Sequence, residues 1–413
     1  MRVIGIVAEF NPFHSGHGYL IGKAKEEIGD PRAIVMPVMS GAFCQRGLPA
    51  MLPKHIRARQ ALLCGADVVL ELPFTFACAP SERFAYGAVA TLVSSGVVTD
   101  IAFGVDCEDP SVLEKLASYD FDADPGYNGI LKESVEAGLS FPAARAKAIG
   151  ACLAGKTSYS DNQIAEALKS PNSILALDYL RALKILDPKG RITVHMIERV
   201  GSYHDGSDGF ASASDIRKLA AEDRSLASLI TKLGDKMPEA SLAAWLSAQS
   251  RGEFSILDEE EYIRRVITGC DFRENTAYMT DGLSGYLNNI KESLRPGDLA
   301  RFSEIVYTRH FTLGRICRAM ASAYVGQDRS VLDIKDPAYI RVLGFGREGR
   351  YCLKIIGKCT KLPVIHNLSD FAEHGDNKDL QTLSALDIKS CELAGSLLGL
   401  PFEYEWQMPP VIL

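Results

Sequence analysis

The sequence contains no apolar run of the roughly 18–20 residues that a membrane-spanning helix needs. Its first residues form only a short apolar stretch, because Glu9 and Asn11 follow at once, and a small-residue cleavage site of a secretory signal is lacking. Internal repeats and low-complexity tracts are also absent. These absences argue against a membrane or secreted protein and predict a cytoplasmic protein without a membrane partner.

Paired cysteines are missing too. The 10 cysteines include no Cys-x-x-Cys pair, and several of them lie in apolar runs. A disulfide framework or a zinc site of paired cysteines is therefore not indicated, and the pattern is typical of reduced core thiols in a cytosolic protein. With 47% hydrophobic and 23% charged residues, the rest of the composition is that of an ordinary globular chain.

An excess of positive charge is absent as well, since 45 Lys and Arg oppose 52 Asp and Glu and leave a net charge of -7. That total argues against a generally basic nucleic-acid binder. Residues 301–360 differ, with 11 basic and 5 acidic side chains and a net charge of +6. Aromatic residues lie among these charges, as expected for phosphate contacts and base stacking on an RNA loop, although a solvated cationic helix face is the alternative. The candidate RNA contacts are Arg309, Arg315, Arg318, Arg347 and Arg350.

The chain of 413 residues is too long for one typical domain. In its first half, β-branched runs at residues 3–7, 33–39, 67–72, 100–105 and 192–200 alternate with helix-period segments. This alternation predicts an α/β fold, a Rossmann-like parallel sheet with helices on both faces. After about residue 219 helix-like blocks follow one another and no clear strand is visible, which predicts a mostly α-helical C-terminal domain. We place the two domains at residues 1–220 and 221–413.

The most informative segment runs from Glu9 to His17, between the first predicted strand and the first predicted helix. At such a junction the phosphates of a nucleotide can meet free backbone N–H groups and the positive end of the helix. His14 and His17 are three residues apart and share one helical face, so both imidazoles can donate hydrogen bonds to phosphate oxygens. The alternatives are a metal site, for which further ligands are not evident nearby, or plain surface histidines.

The segment His14-Ser15-Gly16-His17 resembles the His-x-Gly-His signature of the nucleotidylyltransferase superfamily. A longer ordered series of motifs resembles the tRNA(Met) cytidine acetate ligases over essentially the whole chain. That series comprises residues 7–17, 39–47, 65–73, 81–87 and 170–175.

The resemblance implies an enzyme that activates acetate with ATP to acetyl-adenylate and acetylates N4 of the wobble cytidine of elongator tRNA(Met). It also implies Mg2+ beside ATP, and tRNA as the partner of the cationic segment. The ATP contacts that it implies are Val7, Glu9, Asn11, Pro12, Phe13, His14, Gly16, His17, Gly104, Asn172, Arg199, Ser214 and Arg217. The sequence leaves the oligomeric state open.

Each of the other candidate site residues also has a simpler, non-functional interpretation. Lys23 lies in the first predicted helix and is a catalytic candidate beside His14 and His17, or else a solvated lysine. Ser40, Gly41 and Gln45 follow the second predicted strand, where they form a candidate acetate pocket or an ordinary surface loop.

Three further nucleotide candidates are Gly104, Asn172 and Arg199. Gly104 ends a predicted strand and lets a ligand approach the backbone, or is a turn glycine. Asn172 contacts the nucleotide or serves as an N-cap or first-turn residue. Arg199 binds phosphate or forms a surface salt bridge with Glu198 or Asp205.

The stretch 211–217 resembles a second phosphate-binding signature of the superfamily, with Arg217 as its arginine. The simpler interpretation makes Ser214 the N-cap of a helix. Two rival functions stay open at this point: a small-molecule nucleotidylyltransferase, or a non-catalytic tRNA-binding protein that keeps a nucleotide fold.

Overall fold

A computed structural model of the chain describes residues 1–121, 123–139, 141–200, 210–308 and 310–413. One sheet of eight strands runs through it in the order β5-β4-β1-β2-β3-β6-β7, with β8 paired to β6. The strands are β1 (Val3–Ala8), β2 (Ile34–Ser40), β3 (Val68–Leu72), β4 (Asp100–Val105), β5 (Thr193–Glu198), β6 (Ile340–Phe345), β7 (Val364–Ile365) and β8 (Val411–Ile412). Strands β1 to β5 are mutually parallel, whereas β6 runs antiparallel to β3.

Helices flank this sheet. Up to residue 200 they are α1 (Ser15–Ile28), α2 (Lys54–Leu63), α3 (Phe74–Ala77), α4 (Ser81–Ser94), α5 (Ser111–Ser118), α6 (Pro125–Glu136), α7 (Phe141–Leu153), α8 (Asp161–Ala167) and α9 (Pro171–Leu186). Beyond it they are α10 (Ala213–Glu222), α11 (Leu226–Leu233), α12 (Glu239–Ser250), α13 (Glu259–Gly269), α14 (Leu283–Ser293), α15 (Phe302–Val306), α16 (Leu313–Val325), α17 (Arg347–Cys359), α18 (Lys378–Leu397) and α19 (Tyr404–Gln407). Short 3₁₀ helices occur at Pro296–Arg301, Arg329–Asp333 and Leu368–His374.

The side chains of β1 alternate between two hydrophobic cores, and this explains why helices cover both faces of the sheet. Val3 belongs to the larger hydrophobic core, whereas Ile4 and Ile6 point into a smaller core on the other face. Helices α1 and α2 contribute to the smaller core, and α4 packs on the larger one. At Gly5 an added Cβ would lie 2.9 Å from Leu92 Cδ1, so this glycine lets α4 approach β1 closely.

The predicted α/β class, with a mostly helical second half, is confirmed. The expectation of no strand after residue 219 is wrong, because β6, β7 and β8 join the sheet. Strand β6 is buried along most of its length, so it lacks the alternating pattern, and it contains the buried Arg341. Strands β7 and β8 have two residues each, too few to leave a pattern. The division into residues 1–220 and 221–413 stays a prediction.

Two features of the described part of the chain bear on where ligands can bind and on whether the chain can cross a membrane. The parallel strands bring the carboxyl ends of β1, β2, β4 and β5 to one edge of the sheet, which is where ligands of open α/β sheets bind. In the same part of the chain, no helix combines the length and apolarity that crossing a bilayer requires.

Candidate active site

A cavity of about 1790 Å³ opens beyond the carboxyl ends of the parallel strands, and residues from both halves of the chain form its wall. Most of the predicted site residues reach this wall. They are Val7, Glu9, Asn11, His14, Gly16, His17, Gln45, Gly104, Asn172, Arg199, Ser214, Arg217, Arg315 and Arg318.

The histidine pair begins helix α1 as a reciprocal cap. His14 is the N-cap residue, and its Nδ1 accepts a hydrogen bond from the backbone N–H of Gly16 at 3.1 Å. The Nδ1 of His17 accepts from the backbone N–H of His14, also at 3.1 Å. An Nδ1 that accepts a hydrogen bond carries no proton, so each neutral ring keeps its proton on Nε2. Both rings line the cavity and can therefore donate to a ligand oxygen through Nε2.

Both histidines are held in the neutral form. Burial lowers the pKa of His14 to about 4, with a smaller contribution from the positive charge of Arg199. Burial also lowers the pKa of His17, and the nearby His14 and Arg199 act in the same direction. The two rings lie 3.8 Å apart between centroids, and Phe10 and Phe13 pack against His17. Neutral imidazoles near neutral pH act as donors that need no proton from solution.

The loop before α1 is fastened by Asn11. Its Oδ1 accepts from the backbone N–H of Met51 at 2.8 Å, and its Nδ2 donates to Cys44 Sγ at 3.3 Å. Pro12 and Phe13, predicted as nucleotide contacts, do not line the cavity. Phe13 is fully buried beside His17, and so it supports the site from behind.

Asp106, which follows β4, links several predicted nucleotide contacts and was missed from the sequence. It accepts hydrogen bonds from Ser170 Oγ and from Asn172 Nδ2, the latter at 2.7 Å, and it pairs with Arg199 Nε at 3.6 Å. The alternative for Arg199, a salt bridge with Glu198, is thus not formed, and Asp205 lies outside the described residues. The cap of α9 is Ser170, and Asn172 is a first-turn residue.

A glycine at position 104 also has a structural reason, beside the predicted approach of a ligand to the backbone. An added Cβ there would lie 3.0 Å from Cγ of Arg199, so the glycine makes room for the stem of that arginine. Gly104 still lies on the cavity wall, together with Asp106 and Arg199.

Helix α10 begins in the stretch that resembles a second phosphate-binding signature. Its N-cap is Ser212, whose side chain accepts from the backbone N–H of Asp215, so the alternative that Ser214 is the N-cap is wrong by two residues. Ser214 Oγ instead accepts from Arg217 at 3.1 Å, and Arg217 also donates to the backbone carbonyl of Asn11 at 2.9 Å. The arginine therefore ties α10 to the loop that carries the histidines.

Three further predicted residues, Lys23, Ser40 and Gly41, do not line the cavity. Lys23 lies on α1 but pairs with Glu26 at 2.7 Å, with 41% of its side chain exposed. Ser40 is fully buried, and Gly41 packs on Glu71, whose Oε1 would lie 2.3 Å from an added Cβ. Their backbone carbonyls accept hydrogen bonds from the buried Arg57. No local sequence pattern marks Arg57, which also donates to the carbonyl of Glu9 and so fixes the ends of β1 and β2.

The predicted RNA contacts separate into two groups. Arg315 and Arg318, on α16, lie on the cavity wall. Arg347 and Arg350 begin α17, where the backbone of Gly346 donates to Asp67 just before β3. They are exposed at the edge of the sheet opposite the cavity. Arg309 lies outside the described residues.

A metal site made of protein side chains is not evident in the described part of the chain, where no group of three His, Cys, Asp or Glu side chains could hold a metal ion.

The chain was compared with known proteins. Residues 1–399 match the family model described as HIGH Nucleotidyl Transferase. The tRNA(Met) cytidine acetate ligase of Acetivibrio thermocellus is 34% identical over 388 residues, which cover 91% of this chain and 90% of that protein. The enzyme of the same name from Clostridium kluyveri is 30% identical and covers 100% of this chain and 99% of its own.

A solved structure agrees with these relatives. The crystal structure of Thermotoga maritima TmcAL bound with alpha-thio ATP superposes with a TM-score of 0.87 at 30% identity, and the match covers 100% of both chains. The chain therefore belongs to the HIGH nucleotidyl transferase family and, within it, to the tRNA(Met) cytidine acetate ligases.

Proposed function

We propose that the protein is an ATP-dependent ligase that joins acetate to N4 of the wobble cytidine of elongator tRNA(Met). The observation that carries this proposal is the reciprocal cap of His14 and His17, which directs two neutral N–H donors toward a cavity at the edge of a nucleotide-binding sheet. Relatives that cover nearly the whole chain bear the name of this activity, and a related structure holds an ATP analogue.

The first step forms acetyl-adenylate. A carboxylate oxygen of acetate attacks the α-phosphorus of ATP, and the bond from that phosphorus to the β-phosphate bridging oxygen breaks, so pyrophosphate leaves. His14 and His17 donate to oxygens on the α-phosphorus, where charge and crowding increase. Arg217 and Arg199 supply positive charge beside them.

The second step transfers the acetyl group. The N4 amine of cytidine attacks the acetyl carbonyl carbon, the bond to the AMP oxygen breaks, and N4 loses a proton. A wobble base is already in a loop, so little unpairing energy opposes its entry. Holding the two reactants together in one cavity supplies much of the rate.

The remaining assignments follow the position of each residue. ATP contacts residues 7–17 and the start of α10, together with Gly104 and Asn172, and tRNA contacts Arg315 on the cavity wall. Arg309, Arg347 and Arg350 are further tRNA contacts, and Lys23, Ser40 and Gly41 lie outside the wall. Mg2+ would be held mainly by phosphate oxygens, as is usual for nucleotide-bound magnesium, and would neutralise the departing pyrophosphate.

The test is acetate-dependent exchange of labelled pyrophosphate into ATP by the purified protein, with and without tRNA. We expect exchange that requires acetate, and a fall of at least a hundredfold in His17→Ala, since one preorganised donor is worth roughly 10²–10³ in rate. The matched control is His374→Ala, because His374 ends a 3₁₀ helix away from the cavity.

Two outcomes would favour the rival functions. Pyrophosphate exchange that does not depend on acetate would indicate a small-molecule nucleotidylyltransferase. Binding of tRNA with no exchange under either condition would indicate a non-catalytic tRNA-binding protein.

A further inference from the structure

Arg318 is a partly buried cation that contacts no carboxylate of the described residues. Within the described residues no Asp or Glu oxygen lies within 4.0 Å of its guanidinium, and its Nε is shielded from solvent with no hydrogen-bond partner. Its one hydrogen bond there is a long one, from Nη1 to the backbone carbonyl of Gln45 at 3.4 Å. The buried Lys54, Arg145 and Arg341 contact carboxylates. The buried Arg57 contacts none among the described residues, but its guanidinium donates to four backbone carbonyls, whereas that of Arg318 has a single long hydrogen bond.

Burial of an unpaired charge costs free energy, and in folded proteins such charges are normally compensated by a partner. The pKa of the Arg318 guanidinium is accordingly lowered by burial. Arg315, one turn earlier on α16, shows the contrasting case, since Asp281 pairs with it at 2.6 Å. Among the described residues the charge of Arg318 thus has no carboxylate counter-ion, and it faces the cavity.

The fold brings Arg318 next to the first strand of the nucleotide site. Gly47 has φ of +85°, and an added Cβ would lie 2.4 Å from the backbone nitrogen of Arg318, so the loop after β2 is seated directly on α16. In that loop the backbone N–H of Gln45 donates to Glu9 Oε1 at 2.6 Å. Gln45 therefore links Arg318 to Glu9, the residue that follows β1.

On the basis of the proposed function, we infer that Arg318, which lies beside Gln45, binds the carboxylate of acetate before that carboxylate attacks ATP. A guanidinium matches a carboxylate with two parallel N–H donors. The anion supplies the negative charge that no described carboxylate provides. The wall of the same cavity also includes Leu48, Met51 and Cys317, which are suitable contacts for a methyl group. An RNA phosphodiester, with two ester substituents, is a poorer fit to an enclosed guanidinium than this small anion.

The test uses Arg318→Met, Arg318→Lys and, as a matched control, Arg301→Met, which removes an exposed arginine paired with Glu304. Pyrophosphate exchange is measured without tRNA, so that contacts to RNA do not enter. In Arg318→Met we expect the KM for acetate to rise at least tenfold while the KM for ATP changes less than twofold. Arg318→Lys should lie between this variant and the wild type, because it keeps the charge but not the planar fork. The control should match the wild type.

A second readout does not depend on catalysis. Sodium acetate, compared with sodium chloride, should raise the Tm of the wild type and not that of Arg318→Met. Without ligand, Arg318→Met should melt no lower than the wild type, because it removes an unpaired buried charge.

Each contrary outcome has a distinct meaning. An unchanged KM for acetate, with a raised KM for tRNA in the complete reaction, would overturn the inference and assign Arg318 to RNA. A large fall in Tm with all kinetic constants impaired would also overturn it and make the residue structural. Absence of exchange in the wild type would contradict the proposed function alone, and the acetate-dependent rise in Tm would still test Arg318.

Discussion

His17 accepts a hydrogen bond through Nδ1 from the backbone N–H of His14, and this contact fixes the protonation pattern of the site. Because the N-cap imidazole of His14 is held in the same way by Gly16, both rings have their free N–H on Nε2. The residues that begin the helix are thus also the residues that would bind phosphate.

The first prediction concerns stability at acidic pH. The folded-state pKa of His14 is lowered to about 4, whereas an unfolded histidine titrates near 6.5. Between these values the unfolded chain binds more protons, so the free energy of unfolding falls as the pH drops below about 6.5. By pH 5 the loss from His14 amounts to about 2 kcal/mol, at about 1.36 kcal/mol per pKa unit.

Urea unfolding near pH 7 and pH 5 measures this effect. His14→Asn is the comparison, since asparagine is also a good N-cap but does not titrate in this range. The variant should lose less stability than the wild type on acidification. An identical loss in both proteins would contradict the lowered pKa.

The second prediction concerns Asp106 as a positioning residue. Replacing it with alanine removes the carboxylate that holds Asn172 and Arg199 at the wall of the cavity. The KM for ATP should rise roughly tenfold, as expected when one charge-assisted hydrogen bond is lost.

Exchange kinetics at saturating acetate check this value. Asp106→Asn should show a smaller rise, because the amide oxygen still accepts a hydrogen bond. Asp109→Ala, which removes a carboxylate that contacts only the start of α5 among the described contacts, is the control. Equal KM values for ATP in all three variants would refute the role of Asp106.

The third prediction concerns Gly47. Gly47→Ala should lower the free energy of unfolding by roughly 2–4 kcal/mol, because the residue has φ of +85° and its Cβ would lie 2.3 Å from the backbone of Cys317. Gly29→Ala is a matched control, since Gly29 has φ of +68° but no atom near the added Cβ. It should cost only about 1 kcal/mol, the backbone strain alone. Chemical unfolding of both variants gives the comparison, and equal losses would argue against close packing at Gly47.

The fourth prediction concerns a buried ion cluster. Lys54 contacts Glu71 at 2.7 Å and Glu405 at 2.8 Å, and all three side chains are at most 5% exposed. Lys54→Met leaves two buried carboxylates with less compensation, so unfolding should become easier by roughly 3–5 kcal/mol. Lys23→Met removes an exposed pair with Glu26 and should leave the unfolding midpoint unchanged. A midpoint for Lys54→Met equal to that of the wild type would contradict this account.

Much of the sheet could be predicted from the sequence, for a physical reason. Strands β1 to β5 are short runs rich in β-branched residues between helices of regular period, and this pattern is local. Strand β6 could not be found in this way, since its burial comes from β3, β7 and β8, far away along the chain.

The residues of the site show the same difference between local patterns and distant contacts. His14, Gly16 and His17 are contiguous, and so their motif reveals them. Asp106 and Arg57 act on residues 66 and 48 positions away, at Asn172 and Glu9, and no local pattern marks such contacts. The correct cap of α10 did leave a signal, because Ser212 and Asp215 have the spacing of a capping box.

The central claim is tested most directly by nucleoside analysis of tRNA incubated with the purified protein, ATP and labelled acetate, without acetyl-coenzyme A. The account predicts labelled N4-acetylcytidine at the wobble position of elongator tRNA(Met), formed only when ATP is present and lost in His17→Ala. Unmodified cytidine after incubation with a protein that carries out acetate-dependent exchange would contradict it.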